Sequence, residues 1–292
     1  MIGHQWRRCG TPVRFVCPAG TKGDLMPSLR MNEAKLDYWD TGAGHPIVFV
    51  HGVATLGELW VADLSDLTDE FRVVAYNRRG YGASSSSPRN WTAHADDTIA
   101  LIESLGIAPA LIVGYSAGSI VALDLALRRS DLVSGLVLLD PAFNLTRCLT
   151  PSLLTTLLAV KALALIRKDH AAARRWLRYV SSYSTGGSAY EQKASDERRA
   201  TLLANRTGIL ADLESGGGAV DETRLASISV PVTIVAASLS PSFLRRSCHR
   251  LSQLLPQADT VILEHSGHWA GLDARDEVVA LLRDAARACA PG

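Results

Sequence analysis

Apolar and polar positions along the chain fall into two alternating rhythms. "AKLDYWDTG" (34–42) alternates apolar with polar and closes on a turn glycine, which predicts a half-buried strand. "PIVFVHG" (46–52) and "FRVVAYNRRG" (71–80) are short, nearly continuous apolar runs, as strands covered on both faces show. Helical spacing follows in "TAHADDTIALIESLGI" (92–107), with Thr92 placed as its N-cap. The strand "PALIVGYSAG" (109–118) then leads into a helix from about Ala117 to Arg129, and "VSGLVLLD" (133–140) reads as a further strand. From about Leu145 to Ala226 the spacing is helical, broken by Gly216-Gly217-Gly218. Strand patterning resumes at "VPVTIVAA" (230–237). A helix near Ser247 to Leu255, the strand "DTVILEHSG" (259–267) and a last helix "RDEVVALLRDAARAC" (275–289) complete the chain.

Alternating strands and helices predict an α/β fold: a mainly parallel central sheet with helices on both faces. The all-helical block reads as a cap inserted before the penultimate strand. The division is then an N-terminal extension (1–30), a core (31–144 and 227–292) and a helical cap (145–226).

Composition changes this picture little. The chain has 292 residues, 47% of them hydrophobic and 20% charged, with a formal net charge of +1. Near-zero charge without a basic stripe argues against a nucleic-acid partner. The longest apolar stretch, Leu153 to Ile166, is interrupted by Lys161 and is too short to span a bilayer. The first residues, "MIGHQWRRCGTPVRFVCPAG", lack the apolar core of a secretory signal. Cys9, Cys17, Cys148, Cys248 and Cys289 are scattered and odd in number, which fits reduced thiols and a cytoplasmic location. No metal-ligand pattern is present, since His265 and His268 alone are too few to hold zinc. No cofactor is expected, and the pattern does not address oligomeric state.

Candidate chemistry centres on "GYSAG" (114–118). G-x-S-x-G alone is a weak signal. Here it lies between an apolar run and a helical "SIVALDLALRR", the strand–turn–helix of a nucleophile elbow. A turn this sharp strains the serine backbone and needs glycines on either side so that strand and helix can approach. Ser116 then projects beside a helix N-terminus that favours developing negative charge. "HGV" (51–53) closes an adjacent strand, so the backbone N–H groups of Val53 and Ala117 can form an oxyanion hole. His51 reads as a turn-stabilising residue. In "HSGHWAG" (265–271), His268 is the candidate general base, because Ser266-Gly267 can lift it off the strand end; His265 is the competitor.

With these motifs in this order the chain resembles the α/β-hydrolase fold family, and within it the capped serine esterase- or lactonase-like members. The resemblance covers about residues 34–287 and rests on "HGV", "NRRGYGAS" (77–84), "GYSAG", "LVLLDPA" (136–142) and "SGHW" (266–269). It implies an acyl-enzyme on Ser116, since the members with an aspartate nucleophile form alkyl esters instead. One element departs from the family. The usual acid follows the strand "VPVTIVAA", and here that loop reads "SLSPSF" (238–243), with Ser240 in the acid's place. A serine there is expected to contribute little. A carboxylate stands one strand earlier: Asp140 ends "GLVLLD", and neighbouring strands are only about 4.8 Å apart. Three assignments stay open: Asp140 as the acid, a Ser–His dyad without one, or another carboxylate such as Asp273.

The expected substrate is a small hydrophobic ester, lactone or thioester. Its pocket is expected to include Val53, Trp60, Tyr115, Phe143, Leu239 and Trp269 near the strand ends, with residues of the inserted block. Arg78 and Arg79 read as structural. Two further readings of the scaffold are a small-molecule-binding or signalling protein with weak turnover, and acyl transfer or carbon–carbon bond hydrolysis.

Overall fold

The computed structural model describes residues 28–31, 34–85, 90–216 and 220–290. Most of the N-terminal extension, with Cys9 and Cys17, lies outside the described residues, as do Gly217 and Gly218 of the glycine break. Among the described residues eight strands form one sheet: β1 (Ser28–Met31), β2 (Ala34–Thr41), β3 (Pro46–Val50), β4 (Arg72–Tyr76), β5 (Ala110–Tyr115), β6 (Val133–Leu139), β7 (Val232–Ala237) and β8 (Asp259–Leu263). Their order is β1-β2-β4-β3-β5-β6-β7-β8. Only the β1/β2 and β2/β4 pairs are antiparallel. The rest are parallel, so both faces need helical cover.

The helices are α1 (Gly57–Asp63), α2 (Trp91–Leu105), α3 (Gly118–Arg128), α4 (Pro151–Leu165), α5 (Asp169–Val180), α6 (Ala189–Gln192), α7 (Asp196–Ala204), α8 (Arg206–Glu214), α9 (Ser242–Leu254), α10 (Ala270–Asp273) and α11 (Arg275–Cys289). Side chains of α2, α3 and α9 share one apolar cluster with one sheet face. Those of α1 and α11 share a second with the other. The third joins α4–α8, inserted between β6 and β7, to core residues Leu56, Tyr81, Ala142 and Phe243. β5 sits mid-sheet with all six residues buried. Each such Leu, Ile or Val contributes about 1.5–3 kcal/mol by leaving water, which makes the strand carrying the serine a rigid base.

Three local expectations shift. Residues 28–31, placed mostly in the extension, pair antiparallel with β2; four residues are too few to show a period. The N-cap of α2 is Asn90, not Thr92: the Asn90 side chain accepts from the Ala93 N–H at 2.6 Å. Asn and Thr are both good N-caps, so the residue types alone do not separate the two positions. The helix expected near Ser247 begins at Ser242, with Pro241 as its N-cap residue.

Candidate active site

The loops at the carboxyl ends of β5, β6 and β8 bring Ser116, Asp140 and His268 together. At the end of β5 the chain reverses into α3 through Ser116, whose φ is +52°. A non-glycine residue adopts that conformation at a cost, and such strain collects at functional sites. The flanking glycines show why the turn needs them. A Cβ on Gly114 would come within 2.8 Å of Ser119 Cα, and one on Gly118 would overlap the Val50 carbonyl oxygen. Gly52 is equally constrained, since a Cβ there would lie 2.6 Å from Ser116 Cβ. That contact sets the His51–Val53 loop against the turn.

The Ser116 hydroxyl lies 3.0 Å from His268 Nε2, and His268 Nδ1 lies 2.6 Å from Asp140 Oδ2. All three side chains are buried. Asp140 follows β6 with a φ of +43°. Its backbone N–H donates to Val235 O at 2.7 Å, which ties the β6 end to β7. The carboxylate is well supplied with donors. Oδ1 takes the Ala237 N–H at 3.3 Å and the Cys248 thiol at 3.7 Å, while Oδ2 also takes the Ser240 hydroxyl at 2.6 Å. Ser240 therefore does more than the sequence suggested: the residue in the missing acid's place bonds to the acid from the neighbouring strand. Burial, and then the adjacent Asp140 charge, push the Cys248 thiol well above its ordinary range, so it stays protonated and donating. Asp273 accepts from Tyr183, from the Gly267 N–H and from Lys193, and so anchors the loop that carries His268.

Tyr115 stacks on the His268 ring at 4.8 Å and donates its hydroxyl to His268 O at 2.8 Å. His51 is wholly buried; its Nε2 accepts the Arg78 N–H at 2.9 Å and its Nδ1 donates to Gly52 O at 2.8 Å. Burial, and then the Arg78 charge, hold its pKa well below the usual histidine range. The histidine expected to stabilise a turn thus braces the Gly52 loop in its neutral form.

A cavity of about 270 Å³ opens over Ser116, walled by Val53, Ala117, Ile120, Leu153, Trp176 and Phe243 among others. Of the pocket residues expected from sequence, Val53 lines it. Trp60, Tyr115 and Trp269 line a separate recess of about 30 Å³. Tyr115 is the last residue of β5, directly before Ser116, and its ring lies on the opposite sheet face, where it meets Trp60 at 4.9 Å. Phe143 packs into the core of the α2/α3 face. Leu239 is held by its backbone, donating to Ser266 O and accepting from Ser184, both at 2.8 Å. Trp176, from the inserted block expected to contribute to the pocket, also lines the cavity, whereas the sequence reading missed Trp91 and Asp212. Trp176 and Asp212 come from helices whose packing no local pattern reveals. Among the described residues no cluster of three or more His, Cys, Asp or Glu could hold a metal ion, and no helix is long and apolar enough to cross a membrane.

Residues 47–281 match the family model described as the alpha/beta hydrolase family, and the chain belongs to that family. A Mycobacterium tuberculosis relative (strain CDC 1551 / Oshkosh), named "Putative non-heme bromoperoxidase BpoC", is 36% identical over 115 residues. That match covers 38% of this chain and only 44% of the relative's length. Two solved structures are similar throughout. Est816, described as an N-acyl homoserine lactone degrading enzyme, is 22% identical with a TM-score of 0.73, covering 88% of this chain and 99% of its own. A thermophilic esterase from Thermogutta terrifontis is 24% identical with a TM-score of 0.73, covering 88% and 95%. At these identities the two structures speak to the fold.

Proposed function

We propose that this protein is a serine hydrolase that cleaves an ester, lactone or related acyl bond of a hydrophobic small molecule. The observation that carries the reading is the continuous path from Ser116 Oγ through His268 to Asp140, at 3.0 and 2.6 Å, beneath an apolar cavity. Ser116 Oγ attacks the carbonyl carbon while His268 Nε2 takes its proton. The collapsing intermediate expels the alkoxide, which receives that proton, and leaves an acyl-enzyme. Water, activated by the same nitrogen, then releases the acid and restores Ser116. Asp140 holds the Nδ1 proton, so that Nε2 is the accepting nitrogen, and stabilises the imidazolium. The N–H groups of Val53 and Ala117 serve as the oxyanion hole. Residues 145–226 act as the cap that keeps water from the cavity. Names among the relatives, esterase and lactone degrading, support this bond class.

The test is covalent labelling with a fluorophosphonate probe together with turnover of p-nitrophenyl esters. Labelling confined to Ser116, with turnover abolished in Ser116→Ala, is the expected result. A folded protein that neither takes the label nor turns over esters rejects the reading.

A further inference from the structure

The inserted block leaves one helix half bare. α4 is apolar on nearly every side, with Lys161 its only charge. A helix of that kind belongs inside a core or against lipid. α4 has only part of such cover. Its inner side packs on α5, and Leu153 and Leu157 wall the cavity over Ser116. Its outer side carries Leu154, Leu158 and Leu165, whose spacings of four and seven place them on one helical face. Leu158 is 58% exposed, Leu165 75%, and Ile166 at the helix end 62%. Leu149, just before α4, is 44% exposed and also walls the cavity, so the outer apolar surface and the cavity meet there.

Charge indicates what covers this face. Lys161 falls among the three leucines, and Arg167 and Lys168 follow Ile166 at the corner into α5. All three are exposed, and among the described residues their side chains form no ion pair or hydrogen bond. Residues 151–180 hold six Lys and Arg against one Asp, in a chain whose net charge is +1. A second copy would set this basic face against itself. Residues 1–27 are no better matched, with four Lys and Arg against one Asp. Protein interfaces favour Trp, Tyr and Arg and shed Lys, whereas this stripe is aliphatic with a lysine at its centre. An anionic lipid surface suits both parts. Its acyl region takes the leucines and its headgroups take the cations, with the Lys161 stem lying along the apolar stripe.

We propose that the outer face of α4 docks on an anionic lipid surface, with the helix lying in the plane of that surface. The docking does not depend on the hydrolase reading above.

The test is co-sedimentation of the full-length protein with vesicles of phosphatidylcholine alone and of a two-to-one mixture of phosphatidylcholine and phosphatidylglycerol. Binding to the mixture should be at least about tenfold tighter, since each Lys or Arg near an anionic surface is worth about fivefold. Leu158→Gln with Leu165→Gln should weaken binding to the mixture about tenfold or more. Lys161→Gln with Lys168→Gln should weaken it about tenfold or more while leaving binding to phosphatidylcholine unchanged. None of these four side chains lines the cavity, so both pairs should keep the parent's circular-dichroism melt and its turnover of a soluble p-nitrophenyl ester. Equal binding to the two kinds of vesicle, or undiminished binding in either pair, overturns the proposal. Displacement from the mixture by glycerol 1-phosphate would reveal a site for a free anion and overturn it too. A dimer in sedimentation velocity that the leucine pair dissociates would assign the face to a second copy, with the same consequence. Vesicle binding as expected without any ester turnover would instead reject the hydrolase reading alone.

Discussion

The carboxyl ends of β6 and β7 are neighbours with opposite contents. β6 is followed at once by Asp140, a buried carboxylate with four donors around it. β7 runs into Ser238-Leu239-Ser240, which carries no acid, although it is the loop where members of this family usually carry one. The two ends still meet on one atom: Ser240 Oγ and His268 Nδ1 both lie 2.6 Å from Asp140 Oδ2. A parallel sheet allows this exchange because adjacent strand ends are about one hydrogen bond apart. An acid moved one strand over keeps its imidazole, provided the vacated position supplies a donor rather than a second negative charge. Two carboxylates at that spacing could not both ionise.

The strongest way to break this comparison is at β6. Asp140→Asn should lower kcat for a p-nitrophenyl ester by about 10³–10⁴-fold, the range for a triad acid lost to its amide. Undiminished turnover would mean that the acid is elsewhere or unnecessary. Restoring an acid at β7 sharpens the equivalence of the two ends. The double change Asp140→Asn with Ser240→Asp should recover at least about tenfold over Asp140→Asn alone, because position 240 already reaches the shared atom. No recovery would show that the two strand ends are not interchangeable.

A smaller effect is expected from Ser240→Ala in the otherwise unaltered protein. It removes one hydrogen bond to a buried charge, so kcat should fall about tenfold with KM nearly unchanged. Ser240→Thr, which keeps the hydroxyl, should retain most of the activity. A rise in KM without loss of kcat would mark Ser240 as a substrate contact instead.

The smallest effect concerns stability and uses a third strand end. His51 closes β3 and is held neutral by burial and by Arg78. Its folded pKa lies below its unfolded one, so the unfolded chain takes up a proton first as pH falls. The stability it contributes is complete above the unfolded value, about 6.5, and drains away below it. Stability should therefore be lower at pH 5.5 than at pH 7.5. Urea titrations at pH 7.5 and 5.5 read this, and His51→Gln should flatten the difference between them. An equal difference in the variant would assign the pH dependence to other groups.

The fold was largely legible in the sequence because its strands are apolar runs and its helices keep a strong period. Legibility failed where the signal was short or duplicated. β1 has too few residues to alternate, and Asn90 and Thr92 are both good caps for one helix. At the site, Ser116 and His268 were legible because tight turns demand glycines, which mark the chain. The pocket was not. Tyr115 stands beside Ser116 in sequence yet faces the opposite side of the sheet. Phe143 was expected at the pocket and instead packs in the core.

By itself the sequence determined the strand–helix alternation, the strained serine turn and the absence of an acid after β7. These are local properties, governed by periodicity and by steric limits within a few residues. Only the tertiary structure decided that Ser240 and Asp140 share one carboxylate oxygen. It alone showed that Asp212 of an inserted helix pairs with Arg78 of the core. Those contacts join residues 100 and 134 positions apart. Their distances depend on how whole elements pack, and packing responds to the summed shape of many side chains rather than to any one segment.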